Sequence, residues 1–244
     1  MASRLPIKAR VMVLYRFILS AYESNLGVRG PQAFKLPRSR RSQGRERMRV
    51  KVGGEVKEFR TIWREGRLVH MIDQRKLPHK FEIVSTWRHE ETAEAIRSMI
   101  VRGAGAIGVA AAYGMAQAAL EAEELKEDVR TYLESAAALL RSTRPTAVNL
   151  FHSVDRCLRA AEGPTENPVM SVLSEADAIA EEDLEASRRI GELGSLLIPD
   201  GARILTHCNA GALAFIDYGT ALSPIRLAHQ QGKRILVLVD ETRP

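Results

Sequence analysis

Residues 206–211 read Thr-His-Cys-Asn-Ala-Gly, directly after the apolar pair Ile204-Leu205 and ahead of a helical pattern over Tyr218 to His229. A short apolar run, a turn of small and polar residues and then a helix is how an open α/β sheet presents reactive groups, because ligands bind beyond the carboxyl ends of its strands. Cys208 therefore sits where a thiol can act. The alternative is packing, since free cysteine is among the most buried residue types. Cys157, on a helix at core spacing, takes the packing reading.

Two further segments offer ligands to an anion. Gly103-x-Gly105-x-x-Gly108 matches the dinucleotide fingerprint by spacing, yet it follows Met99-Ile100-Val101 at the end of a helical pattern and not a strand. Its more physical reading is a glycine-rich turn. The turn's backbone amides, with Arg102 beside them, are predicted to receive a phosphate at the start of a helix from Val109. The competing reading is that the glycines let two helices pack closely. Arg144 stands before Pro145, which biases it toward an extended conformation at a helix entrance, where its guanidinium can meet a phosphate bidentately. Taken alone, an arginine before a proline is more often a surface residue.

The elements that must position these residues are legible from residue 57 onward. Thr61-Ile62-Trp63 and Arg67 to Asp73 flank a turn at Glu65-Gly66 and predict a small antiparallel hairpin, with Phe81 to Ser85 as another strand. Glu90 to Met99 has Ala93, Ile96 and Met99 on one face of a helix. The stretch Val109 to Leu120 is small or apolar nearly throughout and predicts a buried helix, continued by a polar-faced one over Glu121 to Arg141. Further helices are predicted over Ala147 to Ala161 and Asn167 to Leu197, the latter carrying Glu181, Glu182, Asp183 and Glu185. A strand–helix–strand pattern begins only at Arg203, and Ile235 to Val239 is its second strand, followed by Asp240-Glu241-Thr242-Arg243-Pro244.

Composition sets the broad class. The 244 residues are 45% hydrophobic and only 5% aromatic, so the core is built mostly from Ala, Val, Ile and Leu. Two cysteines exclude a disulfide scaffold and suit a reducing cytoplasm. The formal net charge of +6 is unevenly placed: residues 1–50 hold 12 of the 36 Lys+Arg and 2 of the 30 Asp+Glu, which leaves 24 against 28 for the rest. The basic leader reads first as a solvated tail, with targeting or nucleic-acid binding behind it. Val11 to Leu19 is interrupted by Arg16 and falls short of the roughly 18 apolar residues of a membrane span. The expected organisation is a leader over 1–47 that is disordered or a mis-assigned start with translation from Met48, a mostly helical domain over 48–200, and the first part of a Rossmann-like domain over 201–244. The fold class is α/β, with a small β-hairpin region in the helical domain and an incomplete parallel sheet in the second.

Five stretches carry a resemblance in the same order along the chain: Val101-Arg102-Gly103-Ala104, Arg144 to Leu150, Thr206 to Gly211, Tyr218-Gly219-Thr220 and Asp240 to Pro244. They resemble the methylthioribose-1-phosphate isomerases, in a superfamily with ribose-1,5-bisphosphate isomerase and the regulatory subunits of initiation factor 2B. The resemblance implies a helical domain joined to a Rossmann-like domain that binds no dinucleotide. It implies aldose–ketose isomerisation of a sugar 1-phosphate in methionine salvage, by acid–base or hydride-shift chemistry, with no cofactor and no metal. It also implies a homodimer in the cytoplasm, without membrane or nucleic-acid partners. By residue, Arg102, Gly103 and Ala104 resemble the phosphate-binding turn, Arg144 a second substrate contact and Cys208 the catalytic thiol. His207, Asn209 and Gly211 resemble the supporting loop.

Such chemistry needs two titratable groups, because a phosphorylated anomeric oxygen blocks spontaneous ring opening and the ring oxygen must be protonated before hydrogen moves from C2 to C1. In the family the partner carboxylate lies on a later strand, and Asp240 belongs to a different motif. The expectation is therefore a truncated isomerase of low activity, with unpaired sheet edges that favour association. Gly105 also departs from the family, which usually has proline there. The other readings are a non-catalytic binding protein like the initiation-factor subunits, or an isomerase of ribose 1,5-bisphosphate or 5-deoxyribose 1-phosphate.

Overall fold

The computed structural model describes residues 48–52 and 54–239. The leader and the Asp240 to Pro244 motif lie outside them. Two antiparallel sheets precede the helices. The hairpin β1 (Met48–Val52) and β2 (Glu55–Phe59) forms a two-stranded sheet of its own, with Met48 opposite Phe59 and Val52 opposite Glu55. The expected hairpin is β3 (Ile62–Glu65) and β4 (Leu68–Ile72), joined through Gly66 at φ 60, and β5 (Ile83–Thr86) adds a third strand beside β4. Alternation separates the faces: Ile62, Val69 and Met71 are fully buried, while Trp63 and His70 stack on the other side with centroids 5.2 Å apart.

Helix α1 (His89–Arg97) begins where Glu91 accepts hydrogen bonds from the amides of Trp87 and Arg88, and it buries Ala93 and Ile96. It ends two residues earlier than the sequence pattern suggests. Met99 has φ 63 and is 37% exposed, so it terminates the helix and does not continue its core face.

The central helix is α2 (Ala104–Leu125). It starts five residues before Val109 because Gly103, at φ 98, ends the preceding turn and the small residues after it already fit a helix. Ala106, Ala110, Ala111, Ala112, Ala116, Ala118 and Ala119 are fully buried. Their short side chains let neighbouring helices approach from several sides. The expected continuation through Arg141 is broken. Lys126 takes a left-handed conformation (φ 57), and α3 (Val129–Thr143) begins afresh with the Asp128 side chain accepting from the Thr131 amide.

Helices α4 (Val148–Glu162) and α5 (Pro168–Ser195) lie where they are predicted, within a residue or two. The Asn167 side chain caps α5 through the Met170 amide and Pro168 opens its first turn. Val154, Cys157 and Ala161 on α4, with Val172, Ala176 and Ala180 on α5, close the core around α2. The parallel unit follows, with β6 (Ala202–Thr206), α6 (Leu222–Gln230) and β7 (Ile235–Val239), and Ala202 registered on Ile235. Helix α6 begins four residues later than the pattern from Tyr218. Tyr218 (φ 59) and Gly219 (φ 83) take left-handed conformations that turn the chain instead. The unit leans on α5: Ser223 Oγ donates to the Ser187 carbonyl at 2.8 Å, and a Cβ on Gly191 would lie under 3.0 Å from Ser223 Oγ. No helix among the described residues is long and apolar enough to cross a membrane.

Candidate functional site

The chain leaves β6 at Thr206 and enters a loop that returns at α6. Cys208 is exposed and has φ 68. A left-handed conformation costs a non-glycine residue on the order of 1–2 kcal/mol, so the surrounding structure must hold it there. His207 and Asn209 flank it, both exposed. Gly211 is buried and opens a short 3-10 turn (Ala212–Ala214), where a Cβ would lie 2.8 Å from Leu222 Cδ1. The two arms of the loop are zipped together: the Thr220 amide donates to the Ala210 carbonyl at 2.9 Å, and Gly219 passes too close to Ala210 and Gly211 for any side chain. Thr206 Oγ1 is buried without a hydrogen-bond partner among the described residues.

Three distant residues fix the far side of this loop. Thr61, fully buried, donates its Oγ1 to the Ala212 carbonyl at 2.7 Å and its amide to the Ile216 carbonyl at 3.0 Å. Gln74 Nε2 donates to the Leu213 carbonyl at 2.6 Å and reaches the Arg102 carbonyl at 3.5 Å. Asp183 on α5 accepts from the Ile216 amide at 2.8 Å. Burial pushes its carboxyl up to about 6, against the opposing pull of that amide. The buried Asp217 carboxylate accepts from the amides of Met48 and Tyr218 and from Arg226, whose guanidinium lies over the Tyr218 ring.

The first turn of α2 faces this loop. A Cβ on Gly103 would fall under 3.0 Å from the Cα and Cβ of Ala214. Ala104, the first residue of the helix, is exposed, and the Arg102 guanidinium makes no hydrogen bond or ion pair among the described residues. One turn on, a Cβ on Gly108 would meet Asn149 at 3.1 Å, so the start of α4 lies beside the start of α2. Arg144 caps α3 just ahead of α4 with φ −142 and ψ 80, outside the helical region that Pro145 disfavours. Its Nη1 is buried and has no hydrogen-bond partner among the described residues. The starts of α2 and α4, each with partial positive charge and free amides, thus lie side by side, with Arg102 just ahead of the first in the chain and Arg144 four residues ahead of the second.

The structure therefore brings Arg102, Gly103 and Ala104 to the loop of His207, Cys208, Asn209 and Gly211, and places Arg144 at the adjoining helix entrance. The close-packing reading of the glycines is borne out for two of the three. Gly105 and Gly108 lie inside α2 and serve close packing, while Gly103 forms the turn. Asp183 is the residue that sequence reasoning missed. The acidic run around it suggests a solvated face, yet its spacing from Ala176, Ala180 and Ser187 puts it on the buried stripe of α5.

A second charged cluster lies apart from this loop. Glu121 is 2% exposed, although the sequence pattern assigns it to a polar face. It accepts from the His89 amide (2.9 Å), His89 Nδ1 (2.6 Å) and Tyr132 Oη (2.9 Å), and Arg67 lies 3.4 Å away. Burial acts to raise its carboxyl, but these hydrogen bonds outweigh it and hold the group below the usual carboxylate range. His89, Glu90 and Glu121 gather ligand atoms within 4.8 Å, a grouping the sequence conceals. The oxygens of Glu121 are already engaged by protein donors, which fits an internal polar hub better than a metal centre. Cys157 is fully buried, and burial lifts its thiol to about 12.

A helical body feeding a parallel strand–helix–strand unit, with a glycine turn at the start of its central helix packed against a thiol-bearing loop, defines a class that related proteins share. Residues 100–244 match the Initiation factor 2 subunit family, and the chain belongs to it. Within that family it is 50% identical over 192 residues to the methylthioribose-1-phosphate isomerase of Chloroflexus aurantiacus, an alignment covering 77% of this chain and 55% of that one. Among solved structures, 5-methylthioribose 1-phosphate isomerase from Pyrococcus horikoshii matches with a TM-score of 0.69 at 41% identity, over 77% of this chain and 54% of that one. A structure described as translation initiation factor eIF-2B, subunit delta, from A. fulgidus gives 0.67 at 46% identity, over 77% and 56%. The chain spans about half the length of the curated relatives it matches. The resemblance read from the five ordered motifs and the α/β fold class are borne out.

Proposed function

We propose that this chain carries the phosphate-binding turn and the reactive thiol of an aldose–ketose isomerase that converts 5-methylthioribose 1-phosphate to 5-methylthioribulose 1-phosphate. The observation that carries this reading is the juxtaposition of the α2 and α4 N-termini, preceded in the chain by Arg102 and Arg144, whose guanidinium groups have no partner among the described residues, together with an exposed cysteine held in a left-handed conformation on the loop packed against α2. The phosphate binds at the amides of Gly103 and Ala104 and is clamped by the two arginines. Anchored there, the sugar presents C1 and C2 toward Cys208, which acts as one of the two acid–base groups or lines the path of a hydride. The resemblance assigns the second group to a carboxylate beyond β7. We place the activity in methionine salvage, in the cytoplasm, in a homodimer, with the chain dividing near residue 200.

The test is titration of the chain with 5-methylthioribose 1-phosphate by calorimetry, with Arg144→Met and Arg102→Met beside it. Each charged hydrogen bond lost should weaken binding by about 1.5–3 kcal/mol, or roughly 10- to 100-fold. Binding that survives both substitutions would place the phosphate elsewhere. A second reading, a nucleotide- or protein-binding regulatory subunit, draws on the match to the A. fulgidus structure. It gives no use to the exposed Cys208, and it would gain if the sugar phosphate failed to bind while the chain remained folded.

A further inference from the structure

We propose that Asp183 is the positioning residue that sets the Cys208 loop against the first turn of α2, with Gly105 as the gap that receives its carboxylate. The inference rests on the reading of Cys208 as the reactive group, but its geometry is independent of any substrate. One oxygen of Asp183 holds the Ile216 amide at 2.8 Å, in the arm of the loop that follows the 3-10 turn. The other occupies the place of a missing side chain: a Cβ on Gly105 would lie under 3.0 Å from Asp183 Oδ1 and from Cδ1 and Cε1 of Phe215. Asp183 and Phe215 thus fill a notch in α2 that only glycine leaves open. Through that notch three elements meet within hydrogen-bond and van der Waals range: α5, the first turn of α2 and the loop.

Charge makes the arrangement specific. Among the described residues no cation is paired with Asp183. On its own helix Glu181 is bound to Arg60, Glu182 to Arg156 and Glu185 to Arg188. On the loop Asp217 is bound to Arg226, and the first turn of α2 supplies no titratable side chain, with Arg102 just ahead of it. What faces the carboxylate is the Ile216 amide and the positive end of α2. Desolvation disfavours the charged form of a carboxyl that has no cation beside it, and here it lifts Asp183 to about 6. Its protonation state therefore changes the grip on Ile216, and the loop that carries Cys208 feels that change.

The experiment measures the alkylation rate of Cys208 by iodoacetamide in the folded chain, between about pH 5 and about pH 9, with Cys157 silent because it is buried and its thiol is lifted to about 12. The wild-type profile should carry an inflection near 6 in addition to the titration of the thiol itself. Asp183→Ala should change the rate by about threefold or more. Asp183→Asn, which keeps an acceptor for Ile216, should restore a rate close to wild type while erasing the inflection. Gly105→Ala, which pushes the carboxylate out without removing it, should resemble Asp183→Ala. Wild-type rates and an unchanged pH profile in all three variants would overturn the proposal. If the alanine variants fail to fold by circular dichroism, Asp183→Asn decides alone, and an inflection that survives in it refutes the assignment. If inorganic phosphate and the sugar phosphate fail to bind but these shifts appear, the substrate reading falls and the positioning role stands.

Discussion

Arg144 presents a case in which stability and function pull in opposite directions. A guanidinium nitrogen buried without a partner is costly, on the order of 1–3 kcal/mol, unless an anion arrives to satisfy it. Arg144→Met is therefore expected to leave the free chain as stable as wild type or slightly more so, while removing most of the thermal shift that added inorganic phosphate produces. Thermal unfolding with and without phosphate measures both effects at once. Gly103 is the complementary case, needing both its positive φ and the absence of a side chain against Ala214. Gly103→Ala should cost about 2 kcal/mol or more in denaturant unfolding, because two separate penalties apply. Asp183 adds a pH-dependent one. Its folded carboxyl is raised to about 6, above its unfolded range, so its neutral form favours the folded state and that stability is lost as pH rises through about 6. Asp183→Asn should raise the melting temperature at neutral pH and bring no gain near pH 4, as a melting series across that window would record.

At the scale of elements, α2 organises the molecule, and the polar hub around Glu121 locks α1 and α3 to it. Glu121→Gln should destabilise the fold by roughly 2–4 kcal/mol at neutral pH, because it weakens several buried hydrogen bonds to a charge at once. The sign with pH follows from the depressed carboxyl. Its contribution is present above the unfolded pKa and disappears as pH falls through the folded one. The gap in melting temperature between wild type and variant should therefore close in acid. Much of this element plan was legible in the sequence, because strong periodicity and capping residues such as Asn167 report on local structure. Two features were not. The break at Lys126 interrupts a pattern that reads as helical on both sides, and Glu121 looks like a surface residue until His89 and Tyr132, far from it in sequence or on another helix, are folded against it. The candidate site divides the same way. Cys208, Arg102 and Arg144 were readable from residue type and local context, whereas Thr61, Gln74 and Asp183 act through contacts that only the tertiary structure creates.

At the scale of the whole molecule, the β6–β7 pair shows an unusual face. Parallel sheets are normally covered on both sides, yet Leu205, Leu236 and Leu238 share one face of the pair and are exposed, Leu205 to 69%. The chain is expected to associate through this face in a concentration-dependent way. Leu205→Lys together with Leu238→Lys should shift light-scattering masses toward the monomer without altering the far-ultraviolet dichroism, and masses unchanged by the pair would place the contact elsewhere.

The clamp on the Cys208 loop has a consequence for the order of events as the chain acquires its structure. Thr61 reaches Ala212 across 151 positions and Gln74 reaches Leu213 across 139, so the loop takes its shape from partners at the opposite end of the sequence. Contacts of such long separation form late, because the intervening chain must already be ordered before closing the loop becomes favourable. The helices around α2 can assemble early from neighbouring segments, but the left-handed turn at Cys208 must wait for the last closure. During refolding, the adoption of native thiol reactivity should therefore lag behind the recovery of helix, and that reactivity becomes a clock for the final step of folding.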